Sequence, residues 1–329
     1  MQSPYAAKPG NELGGKVSRF TKDYAIVVAL LALFVIFSLA SPYFLSYANI
    51  RNILQQTSAV GVVAIGQAFI ILTGDFDLSL GQNVCVTSCL AAWLMKIGGV
   101  DPWVAICIAL LAGCAIGACN GLLIAYAKIP CFVVTLGFQM VCRGMAKIIT
   151  NASPIPGMPK EIQFFGRGFV GGNRYGIPIS VLILIALYVI FSFVSRKTRF
   201  GRSVYAIGGG REAAYFAGID VNKYRLLVYI LAGGLAAFGG ILLLTRLDSA
   251  AVTNGNLYEF DTIIASVIGG VSLAGGKGKI VQALLGALFL TLFFNGMTMM
   301  NVHPFIQDVL KGGVLIAAVT VDVIRNRRS

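Results

Sequence analysis

The sequence predicts an all-α, polytopic membrane protein in which apolar helices form one bundle. Of the 329 residues, 57% are hydrophobic and 12% are charged, whereas soluble domains carry about twice that fraction of charge. The mean hydropathy is +0.82. Uncharged apolar runs recur along the chain, and many approach the roughly 20 residues that a helix needs to cross the hydrocarbon core of a bilayer. A soluble domain is therefore excluded.

About ten of these runs are candidate transmembrane helices. We expect them near residues 24–40, 52–73, 79–96, 103–126, 130–150, 178–195, 226–246, 259–274, 280–300 and 305–324. The eighth is short and interrupted by glycine. The transmembrane domain then covers 24–324, between an N-terminal tail at 1–23 and a C-terminal tail at 325–329.

Charge sets the expected orientation, because lysine and arginine concentrate in the cytoplasmic segments of membrane proteins. If the N-terminus lies inside and the helices alternate, most basic residues fall on the inner side. The outer segments and their edges keep only Arg51, Lys96, Lys160, Arg167, Arg174 and Arg246. Both termini are then cytoplasmic, and the net charge of +13 reflects orientation in a bilayer rather than nucleic-acid binding.

Two carboxylates interrupt the apolar pattern after the second predicted span, in the stretch TGDFDLS at 73–79. Ionisable groups at membrane depth are costly and usually functional. The orientation places this turn at the cytoplasmic end of the span. Three interpretations stay open: Asp77 or Ser79 caps the third helix and shapes a gate, the carboxylates contact a substrate, or they hold a proton or another ion.

A charged, glycine-rich segment at 196–225 separates the sixth and seventh spans. Its central stretch REAAYFAG contains helix-favouring residues, with glycines on both sides where a helix would end. This predicts a short cytoplasmic helix over Gly209–Ile219 between flexible joints. Tyr215 and Phe216 could enter a cleft in a partner, but a helix that only joins two spans is equally consistent with the sequence.

Three long motifs, in order, resemble permease subunits of ABC importers of the ribose type. The first is FGRSVYAIGGGREAAYFAGI at 200–219, which has Gly210 where the family usually has asparagine. The others are NILQQTSAVGVVAIGQAFIILTGDFDLSLG at 52–81 and EFDTIIASVIGGVSLAGGKG at 259–278. The resemblance extends over nearly the whole chain, and it implies a bundle like that of type II ABC importers.

In that family the short cytoplasmic helix docks into a groove on a separate ATP-binding subunit. The residues that the resemblance assigns to this coupling are Gly209, Arg211, Glu212, Ala213, Ala214, Tyr215 and Gly218. The chain has no P-loop, since GGKGK at 275–279 lacks the order GxxxxGK[ST]. We therefore expect no cofactor on this chain, with ATP and magnesium bound by the partner. The GGKGK turn could also touch that partner.

The resemblance also implies the rest of an assembly in the bacterial inner membrane: two ATP-binding sites, a second permease subunit and a periplasmic sugar-binding protein. Ribose or a related pentose or hexose is the expected cargo. The outer loop at 151–177 could meet the binding protein through Lys160, Glu161, Arg167 and Arg174. A sugar path or gate needs polar side chains on the spans. The candidates are Gln67, Asp75, Asp77, Ser79, Asn83 and Asn295, with Asn120 and Gln139 of the same character.

Two other classes of membrane protein compete with the permease. An ion-coupled secondary transporter of small polar solutes would use a similar bundle, but it usually shows a mid-span charge and broken helices. A membrane-embedded enzyme would need a catalytic constellation. The single histidine, His303, lies beside a proline in a predicted outer turn, and the sequence suggests neither a metal-ligand cluster nor a nucleophile–base pair. We therefore predict a transport subunit rather than an enzyme.

Overall fold

The computed structural model describes residues 25–172 and 176–327, and helices dominate both parts. The helices are α1 Ala25–Ala40, α2 Tyr47–Leu72, α3 Leu80–Lys96, α4 Pro102–Ala125, α5 Cys131–Thr150, α6 Phe164–Arg167, α7 Ile179–Lys197, α8 Arg199–Gly209, α9 Arg211–Phe216, α10 Val221–Leu247, α11 Tyr258–Gly269, α12 Ile280–Met299 and α13 Pro304–Arg327. A single 3₁₀ turn covers Lys160–Ile162. The predicted N-terminal tail and Arg174 lie outside the described residues.

Seven described helices are long and apolar enough to cross a membrane, namely α2, α4, α5, α7, α10, α12 and α13. Helix α1 is apolar but shorter. Each of the ten predicted ranges holds a helix, with shifted ends: α2 begins at Tyr47 rather than 52, and α11 ends at Gly269 rather than 274. The number of spans and the orientation of the termini stay predictions.

The centre of the bundle is formed by α2 and α10, which are the most enclosed of the apolar helices. Helix α10 also crosses α4 with backbones in close approach. A methyl group added at Gly113 would lie 2.6 Å from the carbonyl oxygen of Gly233, and one added at Gly117 would overlap the carbonyl of Tyr229. Small residues therefore set the spacing of these helices, as they do in many membrane bundles.

Four very short strands lie at one end of the bundle, which we call the outer end. Strand β1 (Ile155–Pro156) pairs antiparallel with β4 (Ser249–Ala250), and β2 (Phe169–Val170) with β3 (Ile177–Pro178). Asp248 joins this layer, because its carboxylate accepts from the Met158 N–H at 2.8 Å and pairs with Arg167 at 3.4 Å. The opposite end, which carries α8 and α9, is the inner end.

Candidate functional site

The short helix of the inner end differs from the one predicted over Gly209–Ile219. It covers only Arg211–Phe216, and Gly209 belongs to the preceding helix α8. The prediction of a flexible glycine joint before the helix was wrong for Gly208 and Gly209, because both continue the helical hydrogen bonding. Gly210, in an extended conformation, makes the break instead.

The end of α9 agrees with the predicted glycine stop. Gly218 has φ +79°, a left-handed conformation that glycine adopts without steric cost. Its N–H donates to the Tyr215 carbonyl at 2.9 Å, and the Ile219 N–H donates to the Ala214 carbonyl at 3.0 Å. The helix is thus a separate unit between Gly210 and Gly218.

Helix α9 has two distinct faces. Tyr215 and Phe216 are 69% and 84% exposed, and Glu212 and Ala213 are also exposed. Ala214 is buried against the bundle. The outward face thus presents an aromatic pair that the described residues leave largely uncovered, which is what docking into another protein requires.

The inward face of α9 is anchored by Arg211 to the TGDFDLS turn. Its Nη2 donates to Asp75 Oδ1 at 2.8 Å and also to the carbonyl oxygens of Thr73 and Gly74, both at 3.3 Å. The Arg211 side chain as a whole remains 43% exposed. The predicted coupling helix and the acidic turn are far apart in sequence. In the structure they are in direct contact through Arg211 and Asp75.

Asp75 is held from a second side by Arg225 in the first turns of α10. Arg225 Nε donates to Asp75 Oδ2 at 2.9 Å and Nη2 donates to Oδ1 at 3.1 Å, a two-point contact of the strong kind. Nη1 donates to the Ile124 carbonyl of α4 at 3.3 Å. Both side chains are nearly buried, at 10% and 4% exposure. In the sequence, Arg225 is only the last residue of the charged segment at 196–225, and no local pattern predicts its pairing with Asp75.

The GGKGK turn completes this inner-end joint. The Gly276 N–H donates to the carbonyl of Leu72, the last residue of α2, at 3.0 Å. Gly208 of α8 packs on the same carbonyl so closely that an added methyl group would overlap it. Tyr205 donates to the Gly278 carbonyl at 2.8 Å. The turn is tight, as predicted, and it contacts both α8 and the end of α2. Its contact with an ATPase stays a prediction.

An inner-end cavity of about 660 Å³ opens beside this joint. Its charged and amide lining consists of Asp75, Lys128, Arg211, Asn222 and Arg225. Three cations against one carboxylate make this opening positively charged, which matches the basic bias of the inner side.

The second carboxylate of the turn faces the interior. Asp77 Oδ1 accepts from the N–H and the hydroxyl of Ser79, both at 2.6 Å, and Ser79 Oγ accepts from Asn120 Nδ2 at 2.8 Å. Gln67, with its amide oriented to satisfy both groups, bonds the backbone N–H and carbonyl of Asp77 at 3.3 and 3.2 Å. Ser79 occupies the N-cap position of α3, but its hydroxyl makes no cap bond to the helix.

The remaining path candidates also lie in contacts between helices. Asn83 Nδ2 donates to the carbonyls of Gly113 and Gly233, both at 3.4 Å. Asn295 exchanges two amide hydrogen bonds with Asn49 at 2.9 and 3.0 Å. Within the single chain these residues hold helices together, and their contact with a substrate stays a prediction.

The protein family described as "Branched-chain amino acid transport system / permease component" matches residues 49–319. The ribose import permease protein RbsC of Escherichia coli (strain K12) is 40% identical over 308 residues, which cover 92% of this chain and 95% of that protein. RbsC of Bacillus subtilis (strain 168) is 40% identical over 297 residues, covering 90% and 91%. The chain belongs to the ribose-type ABC permeases.

A relative whose name specifies a different sugar also matches the chain. The galactose/methyl galactoside import permease protein MglC of Escherichia coli (strain K12) is 36% identical over 324 residues, covering 94% of this permease and 96% of its own length. The family and the seven apolar helices together make the permease an integral multi-pass membrane protein. The matched region 49–319 includes the inner-end joint and helix α9.

Proposed function

We propose that this permease is the membrane subunit of an ATP-driven, binding-protein-dependent importer of monosaccharides, with ribose or a related pentose or hexose as cargo. Two groups of relatives support this cargo class, because their names specify ribose and galactose import. The chain binds no cofactor itself, and ATP with magnesium is bound by a partner ATP-binding subunit.

The proposed setting is the bacterial inner membrane, with about ten spans and both termini in the cytoplasm. The inner end then faces the ATP-binding subunits, and the outer end faces a periplasmic sugar-binding protein. A second permease subunit, identical or related, completes the path across the bilayer.

The contact between Arg211 and Asp75 is the observation that carries the mechanism. Helix α9 offers Tyr215 and Phe216 to the ATPase on one face and reaches into the bundle with Arg211 on the other. Movement of a docked α9 therefore pulls on the turn between α2 and α3. Because Asp75 is also paired with Arg225, the same movement reaches α10, and helices at the centre of the bundle shift together between outward-open and inward-open states.

Reconstitution tests this function directly. The permease is co-purified with the ATP-binding and binding proteins encoded beside it, incorporated into proteoliposomes, and supplied with labelled ribose, galactose and a non-sugar solute such as leucine. We expect sugar uptake that requires ATP and the binding protein. Uptake by the lone permease driven by an ion gradient, without nucleotide, would instead identify a secondary transporter.

A further inference from the structure

A second cavity lies in the outer half of the bundle, remote from the inner-end joint. It has a volume of about 280 Å³ and is enclosed by α2, α10, α11, α12 and α13. None of the path candidates named from the sequence lines it. Its polar lining comes from Gln56, Arg246, Tyr258, Asp261, Thr291, Gln307, Asp308 and Lys311.

An ion pair between two apolar helices forms one wall of this cavity. Lys311 Nζ of α13 lies 2.8 Å from Asp261 Oδ1 of α11, with side chains only 17% and 13% exposed. Lys311 Nζ also lies 5.0 Å from the centre of the Phe294 ring on α12. Across the cavity, Arg246 is fixed by a 2.8 Å hydrogen bond from Nη2 to Asn52 Oδ1.

Packing of the helices does not explain these charges. A partly buried ion pair is commonly no more stabilising than apolar residues of similar volume, and ionisable groups in apolar helices usually mark a functional site. Here the pair borders a cavity as well as the Phe294 ring, so the hydrogen-bonding capacity that remains beyond the pair itself is open to a ligand.

The lining also indicates the kind of ligand. Two cations, Arg246 and Lys311, balance two carboxylates, Asp261 and Asp308, so the site favours neither an anion nor a cation. The lining combines hydrogen-bond donors and acceptors with two aromatic side chains, Tyr258 and Phe294, which suits a molecule with several hydroxyl groups and an apolar ring face. The volume lies just below the roughly 300 Å³ lower limit of pockets for drug-sized ligands, which fits a single sugar ring.

We propose that this outer-half cavity binds a monosaccharide within one permease subunit, with Asp261, Lys311 and Arg246 bonding its hydroxyl groups beside Phe294. The proposal rests on the proposed function and adds the site to it. The cargo that a binding protein releases at the outer end is held here before the inner end opens.

The test measures ribose binding to the purified full-length permease in lipid nanodiscs, by equilibrium dialysis with labelled ribose. The double variant Asp261→Asn with Lys311→Gln removes both charges together, so that neither is left unpaired. Leu290→Trp fills the cavity from α12 with no change of charge. Thr320→Val, on α13 outside the cavity, is the matched control because Thr320 bonds only the Ile316 carbonyl of its own helix.

We expect saturable ribose binding by the parent permease and by Thr320→Val. The double variant should bind about tenfold more weakly, because it loses the charged partners of hydrogen bonds to the sugar, which are stronger than bonds between neutral groups. Leu290→Trp should abolish binding. Sugar uptake by the full complex should fall in parallel, whereas its ATPase activity should still respond to the loaded binding protein.

Unchanged binding and uptake in the folded double variant and in Leu290→Trp would overturn the proposal, and so would absence of saturable ribose binding by the parent permease. Folding is checked by size-exclusion chromatography in both variants. The proposed function fails in a different way, through absence of ATP-driven sugar uptake by the parent complex. The dialysis measurement needs neither ATP nor a partner, so the two failures are distinguishable.

Discussion

Asp75 and Asp77 lie two residues apart in one turn, yet their partners have nothing in common. Asp75 faces the inner end and is held by two arginines, one from α9 and one from α10. Asp77 faces the interior and is bonded by hydroxyl, amide and backbone groups near α3 and α4. Both carboxylates are nearly buried, at 5% and 1% exposure.

In the proposed mechanism, Asp75 belongs to a movable connection and Asp77 to a fixed one. The bonds of Asp75 join the turn to segments that are far apart in sequence, including the exposed helix α9, so movement of α9 would reach the turn through them. The bonds of Asp77 connect the turn with the ends of neighbouring helices inside the bundle, so they fix its shape. Substitutions among the partners of Asp75 and of Asp77 should therefore have different effects on the stability of the permease and on its coupling to ATP hydrolysis.

Replacement of Asp75 by alanine should cause the largest loss of stability. Arg225 would then be a nearly buried cation without its carboxylate, which costs about 3–5 kcal/mol when one partner of a buried pair is removed. Thermal unfolding of the purified permease, followed by intrinsic fluorescence, measures the change. Glu212→Ala on exposed α9 is the control, and a shift no larger than the control's would show that Arg225 finds other partners.

Introduction of a methyl group at Gly208 should cause the next largest loss of stability. Gly208→Ala forces α8 away from the Leu72 carbonyl and should cost about 1–3 kcal/mol by overpacking, as well as loosening the joint beside Asp75. The adjacent Gly209→Ala meets open space, and it should be neutral or stabilise α8 by up to about 1 kcal/mol. Equal unfolding temperatures for the two variants would refute the close contact.

The interior carboxylate should tolerate loss of its charge better. Asp77→Asn keeps an oxygen that can accept from the Ser79 N–H, and no cation is left unpaired, so we expect a loss of about 1 kcal/mol. Stimulation of ATP hydrolysis by the loaded binding protein should stay within twofold of the parent complex. Loss of that stimulation in a stable variant would place Asp77 in the moving path as well.

Arg211→Met should change stability least and function most. The side chain is 43% exposed, and Arg225 still pairs with Asp75, so the loss should be under about 1 kcal/mol. ATP-driven sugar uptake should nevertheless fall at least tenfold while the ATPase subunit remains bound. Arg202→Met on α8 is the matched control, because the Arg202 side chain bonds the nearby Lys197 carbonyl within the described residues. Normal uptake by Arg211→Met would show that this contact has no role in coupling.

The sequence predicted the helices well because each needs only a continuous apolar run, and the short helix because REAAYFAG carries its own stop at Gly218. It did not predict that Gly208 and Gly209 are helical, since that depends on a close fit against Leu72. The pairing of Asp75 with Arg225 joins positions 150 residues apart, and no local pattern encodes it. The outer-half cavity was missed for the same reason: its charges come from α10, α11 and α13.

The two faces of α9 have a consequence for the specificity of assembly. In the proposed mechanism, Tyr215 and Phe216 recognise the ATP-binding subunit, while Arg211 on the other face of the same short helix transmits its movement into the membrane. If so, the residues that select the ATPase could be exchanged while the contact with Asp75 is kept. Helix α9 would then be the segment at which a hybrid importer with a different ATPase could be built.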